Sequence, residues 1–148
     1  MATIAFGEGP KGSLLRELGK KLGIFEDKMP QVFETGIEEV IQIPENNFFT
    51  TSKGNDIHLM GYPIGLYIPG GAFIYEMSDN RLTLGFLTGL CYEDPLLDLY
   101  DTFIKFKSHP FIAGLIKGGK VVEAGARAVA TGGYYTLPKL AVGGGLFI

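Results

Sequence analysis

Hydrophobic and polar positions alternate most regularly over residues 81–91, which is the periodicity of a β-strand. A second apolar run, residues 71–77, precedes it, and Ser78, Asp79 and Asn80 between them have the composition of a tight turn. The pattern therefore predicts a β-hairpin. Both sets of alternating positions in the second strand are largely apolar, so we expect this strand to be covered on both faces or to lie against a ligand.

Three further segments have the spacing of amphipathic helices, at residues 13–22, 94–108 and 110–116. In the first segment leucines recur on one face, Ser13 is the expected N-cap and Gly23 is the expected stop. Asp94 precedes a proline and is the expected N-cap of the second helix. A histidine–proline pair separates the second helix from the third.

Apolar runs elsewhere indicate more strands, at residues 4–6, 34–43, 57–62, 120–128 and 140–148. Together the segments predict an α+β domain: a mixed, largely antiparallel β-sheet with helices packed on one face. The loop at residues 63–69 is unusually apolar for a segment that joins two strands. Because the last apolar run continues to the final residue, we expect this chain to be a piece of a longer protein.

Composition narrows the class of protein. The chain has 148 residues, of which 46% are hydrophobic and 20% charged, and these values suit a folded domain with a sizeable core. A net charge of −3 and the lack of a basic block make a nucleic-acid-binding protein a poor candidate. A single cysteine excludes an internal disulfide and a cysteine-ligated zinc or iron–sulfur site built by this chain alone. The uncharged residues 57–75 contain too many glycines and prolines for a membrane-spanning helix.

Glycine is the outlier, with 22 residues, about twice the usual share of ~7%. Residues 7–12 match the pattern G-x-G-x-x-G and lie between a predicted strand and a predicted helix. This pattern indicates a dinucleotide site only where it belongs to a full βαβ unit. The alternatives are a plain glycine-rich turn and a turn whose main-chain N–H groups bind some anion.

The glycine pair Gly70-Gly71 begins a predicted strand directly after the apolar loop. Two adjacent glycines expose bare main-chain N–H and C=O groups in an apolar setting. This arrangement suits a flat, mostly apolar ligand that needs one or two hydrogen bonds. The alternative is a β-bulge or a turn at the strand entry.

Polar side chains give no recognisable catalytic or metal-binding arrangement. His58 and His109 lack metal-ligand spacing; we expect His58 on a sheet face and His109 at a helix boundary. Glu38 and Glu39 are expected to face solvent. Cys91 is expected to be a small buried hydrophobic residue and not a nucleophile.

The order of several short blocks resembles the electron transfer flavoprotein–ubiquinone oxidoreductase family. The most extensive are Pro-Gly-Gly-Ala-Phe-Ile-Tyr at residues 69–75 and Leu-Gly-Phe-Leu-Thr-Gly-Leu-Cys-Tyr-Glu-Asp-Pro at residues 84–95. The remaining blocks are residues 6–14, 106–112, 117–120, 125–128, 132–134 and 137–140. The resemblance therefore covers nearly the whole chain.

The resemblance implies a quinone site and a nearby flavin. In the family the ubiquinone head group lies against a glycine pair that corresponds to Gly70 and Gly71. Ala130 and Thr131 depart from the family, which often has a polar and then an acidic residue at these positions. The positions implied to lie near FAD are Glu8, Gly9, Gly12 and Arg127.

The parent implied by the resemblance takes electrons from electron transfer flavoprotein, passes them through a 4Fe–4S cluster and FAD, and reduces ubiquinone. It would be peripheral or monotopic on the cytoplasmic or mitochondrial inner membrane. This chain would be its middle fragment, with a flavin-proximal strand–turn–helix at residues 1–23 and a quinone-binding sheet domain at residues 24–128. Residues 129–148 would return toward an FAD domain that the chain lacks.

The implied partners are electron transfer flavoprotein, ubiquinone, the membrane surface and the remaining FAD and cluster domains. We expect the isolated piece to be soluble, to hold no flavin tightly and to catalyse nothing by itself. Two other functions fit the same residues. One is a fragment of a geranylgeranyl reductase-like flavoprotein, and the other is a non-catalytic binding or structural domain whose glycines serve only turns.

Overall fold

The computed structural model describes residues 4–10, 12–51, 56–142 and 146–147 of the chain. Residues 143–145 and 148, which belong to the predicted C-terminal strand, lie outside the described residues. The chain divides into two units: the first joins Met1–Phe33 to Ala128–Ile148, and the second is Glu34–Arg127.

Helices and strands follow the predicted order, except that the prediction of one strand at residues 140–148 was wrong: Ala141–Val142 and Leu146–Phe147 are two short strands that pair antiparallel with each other. None of the helices in the described ranges has the length and apolarity that a bilayer crossing requires. In chain order the elements are β1 (Ile4–Ala5), α1 (Ser13–Leu22), β2 (Phe33–Gln42), α2 (Phe48–Thr51), β3 (Asp56–Leu59), β4 (Gly70–Met77), β5 (Arg81–Gly89), α3 (Leu99–Lys107), α4 (Pro110–Leu115), β6 (Lys120–Ala130), a 3-10 turn (Tyr134–Thr136), β7 (Ala141–Val142) and β8 (Leu146–Phe147).

The second unit is built on a five-stranded sheet in the order β3-β4-β5-β2-β6. Antiparallel pairing joins β3 to β4, β4 to β5 and β5 to β2. β4 and β5 form the predicted hairpin, in which Met77 lies opposite Arg81. Asp79 and Asn80 in its turn have φ angles of 62° and 55°, a left-handed conformation that Asp and Asn adopt more readily than most residues.

Helices cover one face of this sheet. Leu84 and Phe86 of β5 share a buried core with Phe103 and Phe106 of α3 and with Ile112 of α4. The ring centroids of Phe86 and Phe106 are 5.5 Å apart. The predicted α+β architecture, largely antiparallel with helices on one face, is therefore confirmed.

The opposite face of β5 is covered as well. The ring of Phe73 occupies the space that a side chain on Gly85 would need, and it stacks on the ring of Tyr75 with centroids 5.6 Å apart. Thr83 on the same strand is 1% exposed. The predicted coverage of β5 on both faces is confirmed.

The helix predicted from Asp94 begins later, at Leu99. Its N-cap is Asp98, whose carboxylate accepts a hydrogen bond of 2.8 Å from the Asp101 amide. Asp94 instead closes a turn by accepting a bond of 2.9 Å from the Leu96 amide. The predicted cap was wrong because two aspartates in this segment suit the role, and only the fold decides between them.

The first unit contains α1 and a small mixed sheet in the order β1-β8-β7. β1 and β8 run parallel, whereas β7 and β8 run antiparallel. Gly23 ends α1 with a φ of 61°, as predicted. Ser13 is not the N-cap: it is the first helical residue, and Gly12 occupies the cap position.

Candidate functional site

Gly70 and Gly71 begin β4 at a place where two other backbone segments come close. Gly70 has a φ of 144°, which L side chains rarely adopt, and a Cβ there would collide with the carbonyl oxygen of Leu87. A Cβ on Gly71 would collide with the carbonyl oxygen of Leu59. Both glycines therefore have a steric role at the strand entry. Each is half-buried, so part of its main chain remains open to contact.

The apolar loop predicted between two strands joins β3 to β4 and borders the glycine pair. The Cδ1 atom of Ile64 lies 3.0 Å from the position of a Cβ on Gly70, so Ile64 forms one side of this corner. Leu66 is 79% exposed and Tyr67 is fully exposed. Exposed apolar side chains grouped in this way are typical of surfaces that contact lipid or another protein.

Tyr62 connects the apolar loop to the helices. Its ring centroid is 5.2 Å from that of His109, and its hydroxyl donates a bond of 3.5 Å to the carbonyl oxygen of Lys105. His109 is also the N-cap of α4, where its Nδ1 accepts a bond of 3.3 Å from the Phe111 amide. The predicted place of His109 at a helix boundary is confirmed, and His58 lies exposed on the β3 strand as a sheet-face residue.

A largely buried ion pair joins β2 to α3. The Lys107 Nζ lies 2.5 Å from the Glu39 Oε2, and their side chains are only 19% and 11% exposed. The Lys107 ammonium also lies 5.3 Å from the ring centroid of Phe103. The expectation that Glu39 faces solvent was wrong, whereas Glu38 is exposed as expected.

Cys91 lies beyond the end of β5 and is exposed. The expectation of a buried cysteine was wrong because the alternating pattern continues for two residues after the strand pairing ends at Gly89.

The glycine-rich turn before α1 is organised around Glu8. The Glu8 carboxylate accepts hydrogen bonds from the amides of Leu15 (2.8 Å) and Leu14 (3.4 Å), so it caps the helix in place of Ser13. A Cβ on Gly12 would lie 2.7 Å from the Glu8 side chain, which explains the glycine there. In the described part of the chain α1 is followed by turns, and β1 pairs with β8. The βαβ unit of a dinucleotide site is therefore not formed by these elements.

The first unit contains a cavity of about 750 Å³ that sequence analysis missed. Gly9 and Gly12 line it, together with the cationic side chains of Arg16 and Lys28. The Gln31 Oε1 atom at its wall accepts bonds from the Gly132 amide (2.7 Å) and the Thr136 hydroxyl (3.0 Å). The apolar lining includes Leu15, Phe25, Met29, Phe33 and Leu137.

The predicted site residues are therefore divided between the two units. Gly70 and Gly71 share a corner of the second unit, and Gly9 and Gly12 share the cavity of the first unit. Glu8 lies in the same turn as these two glycines, but its carboxylate accepts hydrogen bonds from the first turn of α1. Arg127 is exposed on β6. Among the described residues, no group of three or more His, Cys, Asp or Glu side chains is arranged to hold a metal ion.

Residues 33–129 match the family model described as "ETF-QO, ubiquinone-binding". The match covers the five-stranded sheet apart from the last residue of β6, Ala130, and includes both helices α3 and α4 and the glycine pair.

Known relatives agree with this match. The chain is 38% identical over 144 residues to the mitochondrial electron transfer flavoprotein-ubiquinone oxidoreductase of Dictyostelium discoideum, covering 97% of this chain and 23% of that protein. It is 38% identical over 143 residues to a probable enzyme of the same name in Schizosaccharomyces pombe, and the match covers 97% of this chain and 22% of that protein. The human enzyme of this name is 35% identical over 145 residues, and the match covers 97% of this chain and 23% of the human protein. The chain thus spans less than a quarter of the length of these relatives.

Proposed function

The chain belongs to the electron transfer flavoprotein–ubiquinone oxidoreductase family, and from this premise we propose that it forms the ubiquinone-binding part of such an enzyme. The observation that carries the proposal is the match of residues 33–129 to the family's ubiquinone-binding model. The same match favours a quinone oxidoreductase over a geranylgeranyl reductase-like enzyme and over a purely structural domain. Oxidoreductase activity would belong to the whole enzyme, and no residue of this chain is proposed as catalytic.

The proposed contact for the quinone head group is the main chain at Gly70 and Gly71. Both glycines are half-buried, so part of their main chain is open to contact with a flat ring, and Ile64 supplies an apolar wall beside Gly70. A quinone oxygen would accept one hydrogen bond from a main-chain N–H, and the ring would pack on apolar surface. The chain's role would be to position the quinone and to exclude water around it.

The cofactors of the whole enzyme would be FAD and a 4Fe–4S cluster. FAD, when bound, supplies the electrons that reduce a quinone. The residues of this chain that suit contact with it are Gly9 and Gly12, because they present bare main chain to a cavity that also contains the cations Arg16 and Lys28. Cys91 is the single cysteine of the sequence, so the cluster would be held elsewhere in the enzyme.

The three segments implied by the family resemblance remain part of the proposal. Residues 1–23 and 129–148 are the flavin-proximal strand–turn–helix and the return segment, and both lie in the first unit. Residues 24–128 are the quinone-binding sheet domain. Arg127 and Glu8 remain proposed flavin-proximal residues.

The proposed partners of the whole enzyme are electron transfer flavoprotein, ubiquinone and a membrane surface. The proposed location is the mitochondrial inner membrane, and the names of the relatives support its mitochondrial part. In this chain the apolar loop, with Leu66 and Tyr67 at its exposed side, is the proposed lipid-facing segment.

The proposal can be tested with two matched isoleucines. Ile64 and Ile116 are both half-buried and pack against the same core, but only Ile64 borders Gly70. Titrating a short-chain ubiquinone analogue against the chain should give a dissociation constant that Ile64→Ala raises by roughly threefold to tenfold, because apolar contact with the ring is lost. Ile116→Ala should leave it unchanged. Equal effects of the two substitutions would assign the quinone to another place.

A further inference from the structure

Gln31 stands at the wall of the first unit's cavity and is held there by its side-chain oxygen alone. The Oε1 atom accepts hydrogen bonds from the amides of Val32 (3.1 Å) and Gly132 (2.7 Å) and from the Thr136 hydroxyl (3.0 Å). A main-chain N–H group can only donate, so the side chain must turn its oxygen, and not its nitrogen, toward these two amides. A Cβ on Gly132 would collide with the same oxygen. The surroundings therefore fix the orientation of the Gln31 amide group.

Main-chain hydrogen bonds hold the segments that carry these partners. The Thr131 amide donates to the carbonyl oxygen of Val32 (2.8 Å), and the Met29 amide donates to that of Tyr135 (3.0 Å). These bonds lie on both sides of Gln31 in the sequence and tie its segment to the return segment. A binding group fixed in this way loses little conformational freedom when a ligand arrives.

The nitrogen atom of the same amide group has no acceptor. Nε2 carries two N–H groups, and neither has a hydrogen-bond partner among the described residues. No buried side-chain nitrogen or oxygen in the described part of the chain lacks a partner, so Nε2 is accessible. Gln31 lines the cavity. An oriented, accessible donor in a mostly apolar pocket is the kind of polar group that fixes how a ligand binds.

We propose that the Gln31 Nε2 group faces the cavity and donates a hydrogen bond to a ring carbonyl oxygen of a bound flavin. The assignment rests on the flavin contact proposed above for Gly9 and Gly12. The flavin ring is flat, carries carbonyl groups and can pack on the apolar lining. The phosphates of the cofactor suit the cations Arg16 and Lys28 at the same cavity. A quinone also has carbonyl groups but no negative charge, so charge complementarity favours flavin over quinone here.

Side-chain amide NMR tests the contact on the unaltered chain and detects weak binding. FMN is the probe, because it combines the flavin ring with one phosphate. In a titration of the ¹⁵N-labelled chain, the paired Nε2 N–H signals of Gln31 should shift saturably, together with the Gly9 and Gly12 amides. The spectrum of Gln31→Glu, which lacks this pair of signals, assigns them. Shifts at Gly9 and Gly12 without a shift of the Gln31 pair would overturn the role of Gln31 and leave the proposed flavin contact standing.

Gln31→Glu also separates the donor from the structural role of the residue. The carboxylate keeps an oxygen that can accept the bonds from Val32 and Gly132, so the unfolding midpoint should stay close to that of the unaltered chain. It offers no N–H group, so the dissociation constant for FMN should rise about fivefold to tenfold. Unchanged affinity would mean that Gln31 makes no bond to the ring, which would overturn the proposal.

Riboflavin, which has the same ring and no phosphate, controls for the negative charge that Gln31→Glu adds. The loss of affinity should be equally large with riboflavin and with FMN, because the hydrogen bond is made to the ring. A loss confined to FMN would be an effect of charge and would overturn the proposal.

Quinone binding gives the last comparison, because Gly70 and Gly71 lie in the second unit. A short-chain ubiquinone should leave the Gln31 side-chain signals unchanged. If the quinone shifts them and FMN does not, the cavity belongs to the quinone and the proposal fails. If neither flavin shifts any signal of the first unit, both the Gln31 contact and the flavin contact at Gly9 and Gly12 fail, whereas quinone binding at the glycine pair is unaffected.

Discussion

The carbonyl oxygen of Leu59, at the end of β3, lies against the Cα atom of Gly71 so closely that a Cβ on Gly71 would collide with it. The glycine pair at the entry of β4 is therefore required by the fold before any ligand is considered. Any test of the quinone proposal by substitution at these glycines measures stability as well as binding, and the two effects must be separated.

Replacing Gly71 should destabilise the chain. Gly71→Ala forces the Leu59 carbonyl to move, and overpacking of this kind costs about 1–3 kcal/mol of unfolding free energy. Gly114→Ala is the control: this exposed residue lies in α4, a Cβ there meets no atom within 4 Å, and alanine should stabilise the helix by about 0.5–1 kcal/mol. Urea unfolding measures both values. Similar unfolding midpoints for the two variants would show that Leu59 does not crowd Gly71.

The Glu39–Lys107 pair should stabilise the contact between β2 and α3. Lys107→Met leaves a largely buried carboxylate without its partner and should cost about 2 kcal/mol, whereas Glu39→Gln combined with Lys107→Met should recover most of this loss. Arg81→Met, which breaks the more exposed pair with Asp79, should cost less than about 1 kcal/mol. Denaturant unfolding compares the variants. If the double variant is as unstable as Lys107→Met, the unpaired Glu39 carboxylate is not the cause of the lost stability.

Glu8 should stabilise the first turn of α1. Glu8→Ala removes the acceptor for the Leu14 and Leu15 amides and should cost about 1 kcal/mol of local stability. Hydrogen exchange at these two amides should then accelerate about fivefold. Glu17→Ala, at an exposed position of the same helix, should leave their exchange nearly unchanged. Unaltered exchange in Glu8→Ala would mean that the cap is not formed.

The exposed apolar loop should drive binding to lipid. If the Leu66 side chain enters the bilayer interface, Leu66→Ser removes about 1.5–3 kcal/mol of transfer free energy and should lower the vesicle partition coefficient tenfold or more. Leu96→Ser is the matched control, because Leu96 is 87% exposed but lies outside the loop. Co-sedimentation with phospholipid vesicles measures the partition. Equal losses in the two variants would exclude a specific role for the loop.

Local patterns predicted much of this fold. The β4–β5 hairpin follows from strict alternation and from turn residues that tolerate a positive φ, and the end of α1 follows from a glycine in the left-handed conformation. The glycine pair could be singled out as special because two adjacent glycines at a strand entry are unusual. Its steric reason could not be predicted, since it depends on carbonyl groups of two other strands.

Features that depend on distant residues were missed. Glu39 and Lys107 are 68 positions apart, so no spacing rule links them, and a glutamate in a strand looks solvated until its partner is known. The cavity of the first unit is formed by segments from both ends of the chain. Asp98 rather than Asp94 caps α3 because local sequence offers two caps and tertiary packing selects one.

Quinone binding at the glycine pair can be measured directly by titrating the ¹⁵N-labelled chain with a short-chain ubiquinone and recording amide NMR spectra. This titration avoids substitutions at the glycine pair and therefore separates binding from stability. We expect saturable shifts at the Gly70 and Gly71 amides and in the neighbouring apolar loop, and no shifts in the first unit. Shifts confined to the residues that line the cavity of the first unit, or no saturable shift at the glycine pair, would contradict it.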